Sequence, residues 1–360
     1  MEISKTELRK KNIIYSLVLI VVVGIVYVYR NYVASENSPP HLEGLTEVYN
    51  SGITMGVIQY NIKYLSKNGA DFQPKIDSVL AAFNQSLSTY IPDSEISRFN
   101  VAETSSLKFE SPFFYPVLKT SKKVHDATNG AFDPTIMPLV NAWGFGPDKE
   151  PVLKYGDDTM IDSLRQYVDF NLIEFNEDSI VKLKPGVQVD FSAVAKGYAV
   201  DLVANFLANK DIENYMVEIG GELSCKGVNS KDKIWLIGVD NPLYLERGGD
   251  NLGGKVKLKD KALATSGNYK NYYIKDGKRY AHTISPITGL PIFHSLLSAS
   301  VFAENCMLAD AYATAFMVLG KDSAIQIIEN NPEIEGFLIY DEDGKMKTFV
   351  SPSLKSYFVE

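Results

Sequence analysis

Histidine and cysteine are scarce: the 360 residues hold four of the first and two of the second. Cysteine-rich zinc sites and disulfide-stapled folds are excluded by that count alone. Positive charge is not in surplus either, with 36 Lys and Arg against 44 Asp and Glu and a net charge of −8. The electrostatic footprint of a nucleic-acid binder is missing. No G-x-S-x-G elbow, H-E-x-x-H or C-x-x-C occurs. Gly249 to Lys255 has phosphate-loop spacing, but Val256 stands where the magnesium-binding Ser or Thr belongs, and the stretch reads as a turn. What remains is an ordinary globular composition, 45% hydrophobic and 22% charged, with no internal repeat.

Charge is uneven along the chain. Lys5, Arg9, Lys10, Lys11 and Arg30 outnumber Glu2 and Glu7, so the first thirty residues are basic and the remainder is strongly acidic. Between Lys11 and Arg30 lie 18 uncharged residues rich in Val, Ile, Leu and Tyr. As a helix they span roughly 27 Å, close to the hydrocarbon thickness of a bilayer. The basic residues before Ile13 predict a cytoplasmic N-terminus, with the rest of the chain outside the cytoplasm. A cleaved signal peptide competes with an uncleaved anchor, whereas a lipoprotein anchor is excluded because the first cysteine is Cys225. The expected organisation is an anchor over 1–30, a polar linker over 31–46 containing Ser38-Pro39-Pro40, and one catalytic domain over 47–360.

Periodicity predicts a strand from Met55 to Tyr64 and helices over Lys75 to Tyr90 and Phe113 to Thr128. Strands are expected at Val168 to Phe175, Ile180 to Leu183, Val187 to Phe191, Tyr215 to Ile219, Trp235 to Val239 and Leu297 to Ala303. Helices are expected at Ala195 to Asn209, Leu308 to Leu319 and Asp322 to Glu329, before a hairpin turning at Asp341 to Gly344. Helices and strands mix without strict alternation, which predicts an α+β fold with mixed, largely antiparallel sheets packed against helices.

Three polar clusters abut apolar elements. Asp190 to Tyr198 sets an acid and Lys196 where a strand turns into a helix, with backbone groups free for a ligand. Glu218-Ile219-Gly220-Gly221-Glu222 puts paired glycines between carboxylates, allowing close backbone approach. Asp310 and Thr314 are four apart on a helix, so both oxygens leave one face, as a Mg²⁺ site needs. Singly, each has a plainer reading: Asp310 as a helix N-terminal acid, the glycines as a bulge, His282 as a loop histidine.

Together with Gly52-Ile53-Thr54-Met55-Gly56, Pro92 to Asn100, Asp133-Pro134-Thr135, Ala142 to Gly146, Thr265-Ser266-Gly267 and His282 to Gly289, they resemble one family in order. It is that of the FAD:protein FMN transferases, or ApbE-like flavin transferases, over about Glu47 to Gly320. The resemblance implies FAD as substrate, Mg²⁺ as cofactor, and FMN transfer to a Ser or Thr of another protein with release of AMP. Acceptors it implies are flavin-bearing subunits of Na⁺-pumping NADH:quinone reductases or Rnf-type complexes, reached from the periplasmic side of a bacterial inner membrane. It assigns Met55, Trp143, Gly144, Phe145, Asp190, Lys196, Glu218, Gly220, Gly221, Ser266 and Ile284 to the FAD site. It makes Ala193 (through its carbonyl), Asp310 and Thr314 metal ligands, and His282 and Asp310 catalytic. Val57, Ser285 and Ile287 depart from the residues many members carry there. Splitting FAD to FMN and AMP without an acceptor is the rival activity, and surface flavin binding without chemistry is the rival outside catalysis.

Overall fold

A computed structural model describes residues 15–16, 18–26, 40–101, 105–147, 150–242, 244, 252–267, 272–275 and 278–359, with backbone alone at 40, 272–275 and 278–281. The strands in chain order are β1 (Leu45–Thr54), β2 (Ile58–Lys67), β3 (Ser106–Lys108), β4 (Ile173–Phe175), β5 (Ser179–Lys182), β6 (Tyr215–Ile219), β7 (Glu222–Lys226) and β8 (Trp235–Asp240). They continue with β9 (Leu252–Leu258), β10 (Lys261–Gly267), β11 (Tyr272–Lys275), β12 (Lys278–Ala281), β13 (Leu296–Ala303), β14 (Ile334–Glu342), β15 (Lys345–Val350) and β16 (Phe358–Val359). The helices are α1 (Gln73–Leu87), α2 (Glu95–Val101), α3 (Phe114–Ala127), α4 (Met137–Ala142), α5 (Asp158–Arg165), α6 (Ala195–Ala208), α7 (Cys306–Leu319) and α8 (Lys321–Asn330).

Eight strands form one sheet in the order β1-β2-β6-β7-β10-β13-β14-β15, antiparallel at every pairing. Period-two alternation decides what each face buries. Ala262, Ala264 and Val301 point into the core shared with α6 and α7. Leu263 and Phe302 point the other way, onto Trp235, Ile237, Val256 and Leu258 of the small sheet β16-β9-β8. The result is a helix layer, a central sheet and a partial third layer, the α+β arrangement expected. Cys225 lies in the second core and Cys306 in the first, both buried and unpaired.

Several expectations need correction. The strand expected from Val168 begins only at Ile173, because Phe170 to Leu172 form a single tight helical turn whose Asn171 N–H donates to the Asp169 carboxylate at 2.9 Å. The strand placed at Met55 begins at Ile58, because Met55 and Gly56 both take positive φ (47° and 82°) and make the turn between β1 and β2. β1 itself, an edge strand starting at Leu45, was missed; its exposure pattern does not alternate cleanly. Val187 to Phe191 is no strand. There the Asn100 side-chain amide donates to the Val189 carbonyl and accepts from its N–H, both at 2.8 Å, so a side chain replaces a ladder partner.

Among the described residues no helix is long and apolar enough to cross a membrane. The apolar segment before Arg30 is helical and exposed where described, at 15–16 and 18–26, and its ends lie outside the described residues, as do 249–251. The turn expected up to Lys255 is corrected, because Leu252 to Lys255 belong to β9 and pair with β8.

Candidate active site

Helices α6 and α7 cap each other. Asp201 on α6 accepts from the N–H groups of Cys306 (2.7 Å) and Met307 (2.8 Å), the first two residues of α7. Asn305 adds its own carboxamide oxygen to the Leu308 N–H at 2.9 Å. In return, Asp310 on α7 accepts from the Gly197 N–H, 2.9 Å away, where Val194 offers α6 no side-chain cap. Unsatisfied N–H groups at a helix start are thus met by the partner helix's carboxylate. The plainer reading of Asp310 as an acid serving its own helix is replaced by one serving its neighbour. Gly197 makes the approach feasible: a Cβ there would stand 2.3 Å from the Cys306 carbonyl oxygen and 2.8 Å from Asp310 Cβ.

The oxygen donors expected for a metal meet at this junction. Thr314 Oγ1 lies 3.4 Å from the Ala193 carbonyl and 3.3 Å from Ser266 Oγ, one helical turn beyond the buried Asp310. Among the described residues no group of three or more His, Cys, Asp and Glu could hold a metal; the donors this junction could offer one are a carboxylate, a carbonyl and a hydroxyl. That set is hard and incomplete, suited to Mg²⁺ whose other positions go to phosphates and water.

Lys196 reaches across to Glu222, Nζ to Oε1 at 2.5 Å, beside the Gly220-Gly221 turn. Burial raises the Glu222 carboxyl to about 7 despite Lys196, with Asp310 adding like-charge repulsion. Burial also raises Asp310, opposed by Lys196 and the Gly197 N–H. Burial works to lower Lys196, but Glu222 and Asp310 outweigh it and hold the ammonium above its usual range. Glu222 Oε2 is buried and has no hydrogen-bond partner among the described residues. Glu218 points elsewhere, accepting from Gly221 N–H and Asn61 Nδ2, both at 2.7 Å, which fixes the turn. Gly220 (φ 63°) leaves room for Ile58 at the base of the Met55 turn. Asp190 accepts twice from Ser192, through N–H (2.8 Å) and Oγ (2.6 Å); burial raises its carboxyl against those bonds.

Trp143, Phe145, His282 and Ile284 make a second group. The Trp143 indole donates to the Gly289 carbonyl at 2.8 Å, and the ring packs with Leu139, Leu153, Ile161 and Ile284 in a small core of its own. Gly144 (φ 78°) abuts Pro151, and the Phe145 ring stands edge-on to His282 with centroids 6.5 Å apart. The hairpin after His282 returns to the first group through His294, whose Nε2 meets the Met317 carbonyl of α7 at 2.8 Å. Lys196, Ala193, Gly220, Ser266, Asp310 and Thr314 therefore converge, while Met55, Asp190 and the indole group lie on separate segments. Reading the sequence missed Asp201, which carries no local signature, and quoted Asn100 only as the end of the Pro92 to Asn100 motif, without its role at Val189. It quoted Glu222 without giving it a role, although a carboxylate after two glycines was visible.

The fold matches the solved flavin transferase ApbE from Vibrio cholerae with a TM-score of 0.78 at 38% identity, over 87% of this chain and 99% of that one. The apo flavinyl transferase ApbE from Pseudomonas stutzeri gives 0.77 at 29% identity, over 87% and 97%. Fold and ordered motifs together define the flavin transferase class. The FAD:protein FMN transferase of Vibrio cholerae is 38% identical over 315 residues, 86% of this chain and 92% of that one. That of Escherichia coli K12 is 35% identical over 301 residues, 82% and 84%. The ApbE family model matches residues 55–338, and the chain belongs to the ApbE family.

Proposed function

We propose that this protein transfers the FMN half of FAD to a Ser or Thr hydroxyl of an acceptor protein and releases AMP. One observation carries the reading: the buried Asp310 carboxylate, the Thr314 hydroxyl and the Ala193 carbonyl gather where a glycine pair admits close backbone approach. Mg²⁺ held by these three would neutralise pyrophosphate charge. The acceptor hydroxyl oxygen attacks the FMN-side phosphorus, the bond to the bridging oxygen breaks, and AMP departs with that oxygen. His282 takes the hydroxyl proton as general base. Lys196, oriented by Glu222, adds positive charge. Met55, Trp143, Gly144, Phe145, Asp190, Gly220, Gly221, Ser266 and Ile284 hold FAD in this reading, and Glu218 serves it by bracing the Gly220-Gly221 turn. The names of the relatives, each an FAD:protein FMN transferase, support it.

The test is incubation with FAD, Mg²⁺ and a flavin-bearing subunit of a Na⁺-pumping NADH:quinone reductase or Rnf-type complex, followed by in-gel flavin fluorescence. A fluorescent acceptor band that EDTA abolishes is expected. Free FMN and AMP with no labelled acceptor would overturn transfer in favour of hydrolysis.

We also propose that the apolar segment before Arg30 anchors the protein in a bacterial inner membrane, with the domain on the periplasmic side. Leu42 is buried and β1 starts at Leu45, so a truncated chain should begin at Pro40 rather than Glu47. It should be soluble and bind FAD, while the full chain floats with lipid vesicles. Full-length chain that stays out of the vesicle fraction would end the anchor proposal.

A further inference from the structure

We infer that Phe293 is the apolar anchor on which the acceptor polypeptide docks beside the reacting centre, an inference that rests on the transferase reading. Phe293 is 97% exposed, more than any other large apolar side chain among the described residues. Its two chain neighbours are nevertheless held. The Ile292 N–H donates to the Thr283 carbonyl at 3.1 Å. His294 is locked by Met317 on Nε2 and by the Leu296 N–H on Nδ1 (3.2 Å).

The hairpin pairs Ser285 with Leu290, Ile284 with Pro291 and Thr283 with Ile292. The next step in that register sets Phe293 across from His282. Ile287, 49% exposed, stands in the turn of the same hairpin, closed by the Gly289 N–H on the Ser285 carbonyl at 2.7 Å. The strand pair bearing the proposed base thus offers two apolar side chains to solvent from an already ordered backbone. Covering a pre-ordered aromatic removes apolar surface from water at little entropic cost, which is what a binding hot spot requires. In the transferase reading the charged junction of α6 and α7 takes the pyrophosphate, and a protein hydroxyl must come to His282, across the hairpin from Phe293. The occupant is an acceptor segment with an apolar residue near its accepting Ser or Thr.

The experiment measures flavinylation of the soluble domain of a flavin-bearing NADH:quinone reductase subunit by the full-length protein, at varied acceptor and varied FAD. Phe293→Ser should raise the acceptor KM about tenfold with kcat within about twofold, the size of a modest hot spot. KM for FAD and AMP release without acceptor should not change, and Phe293→Leu should recover most of the loss. An unchanged acceptor KM overturns the inference. So does an equal rise in KM for FAD, which would make Phe293 a flavin contact, or a change in oligomeric state, which would assign the ring to a second copy. If the unaltered protein releases AMP but labels no acceptor, the transferase reading fails and takes this inference with it. A labelled acceptor with unchanged KM removes the inference alone.

Discussion

The two halves of the site are built differently. Around Asp310 every functional group sits on or against regular structure: two helices that cap one another, a strand end, a glycine turn. Around His282 the scaffold is a two-residue bridge, a tight turn and a small separate core under Trp143. Groups that must hold charge out of water need their solvation replaced by fixed donors, and helix starts supply these without reorganisation. Groups that must meet a partner protein need exposure, which loops on a rigid frame provide. The contrast fits the proposed division, with phosphate chemistry in the first half and acceptor encounter in the second.

The sharpest way to break it is Asp310→Asn. The amide oxygen can still accept from the Gly197 N–H, so stability should change by no more than about 1 kcal/mol. Transfer should fall at least about a thousandfold, because the charged ligand is gone. Flavinylation rate and a urea melt on the same sample separate the roles; an active Asn variant would reduce Asp310 to a cap. His282→Ala comes next, with an expected loss of about a hundredfold to ten-thousandfold at saturating FAD. FAD binding, followed by flavin fluorescence, should persist. A loss under about tenfold would take the histidine out of the proton transfer.

Smaller effects probe the helix junction. Gly197→Ala forces a methyl onto the Cys306 carbonyl and should cost about 1–3 kcal/mol in a urea melt. Unchanged stability would mean that the two helices can part without penalty. The least effect is a slope. Burial holds the Asp201 carboxyl at about 7, over the opposing pull of the Met307 and Cys306 N–H groups, against an ordinary value of 3.8. Between those values the native state keeps a proton that the unfolded chain has released. Asp201 therefore contributes stability in full below about pH 4 and loses it as pH rises towards 7. Asp201→Asn should flatten stability against pH across that window, by at most about 1.4 kcal/mol per pH unit. An unaltered slope would show that another group sets it.

Much of the first half was legible in the sequence because its elements are long and periodic. β6 falls on the expected Tyr215–Ile219, and the α6 and α7 spans differ from expectation by one and two residues. α7 starts earlier because Asn305 and Asp201 together hold its first turn, and a cap borrowed from another helix leaves no local pattern. The irregular stretch before Asp190 looked like a strand for the same reason: its partner is the Asn100 side chain, 89 residues away. Of the small sheet β8 was expected, at Trp235 to Val239, whereas the start of β9 was read as a turn. β8 and β9 earn their partner surface only once β7, β10, β13 and β14 are assembled. In the second half the motif residues could be named, but Phe293 belongs to no motif, and only its exposure singles it out.

The order of the central sheet has a consequence for how such a protein can change. β10 and β13 are neighbours, with Gly267 paired to Ser298, so the chain leaves one strand and returns on the next, His282 and Phe293 lying between. To the sheet this stretch is a closed loop whose ends stay about 5 Å apart whatever its length or content. Closing a longer loop costs only about 0.6 kcal/mol per doubling. The chain between Gly267 and Ser298 can thus change in length away from His282 and Ile284, while the strands and helices that hold Asp310 and Thr314 stay in register.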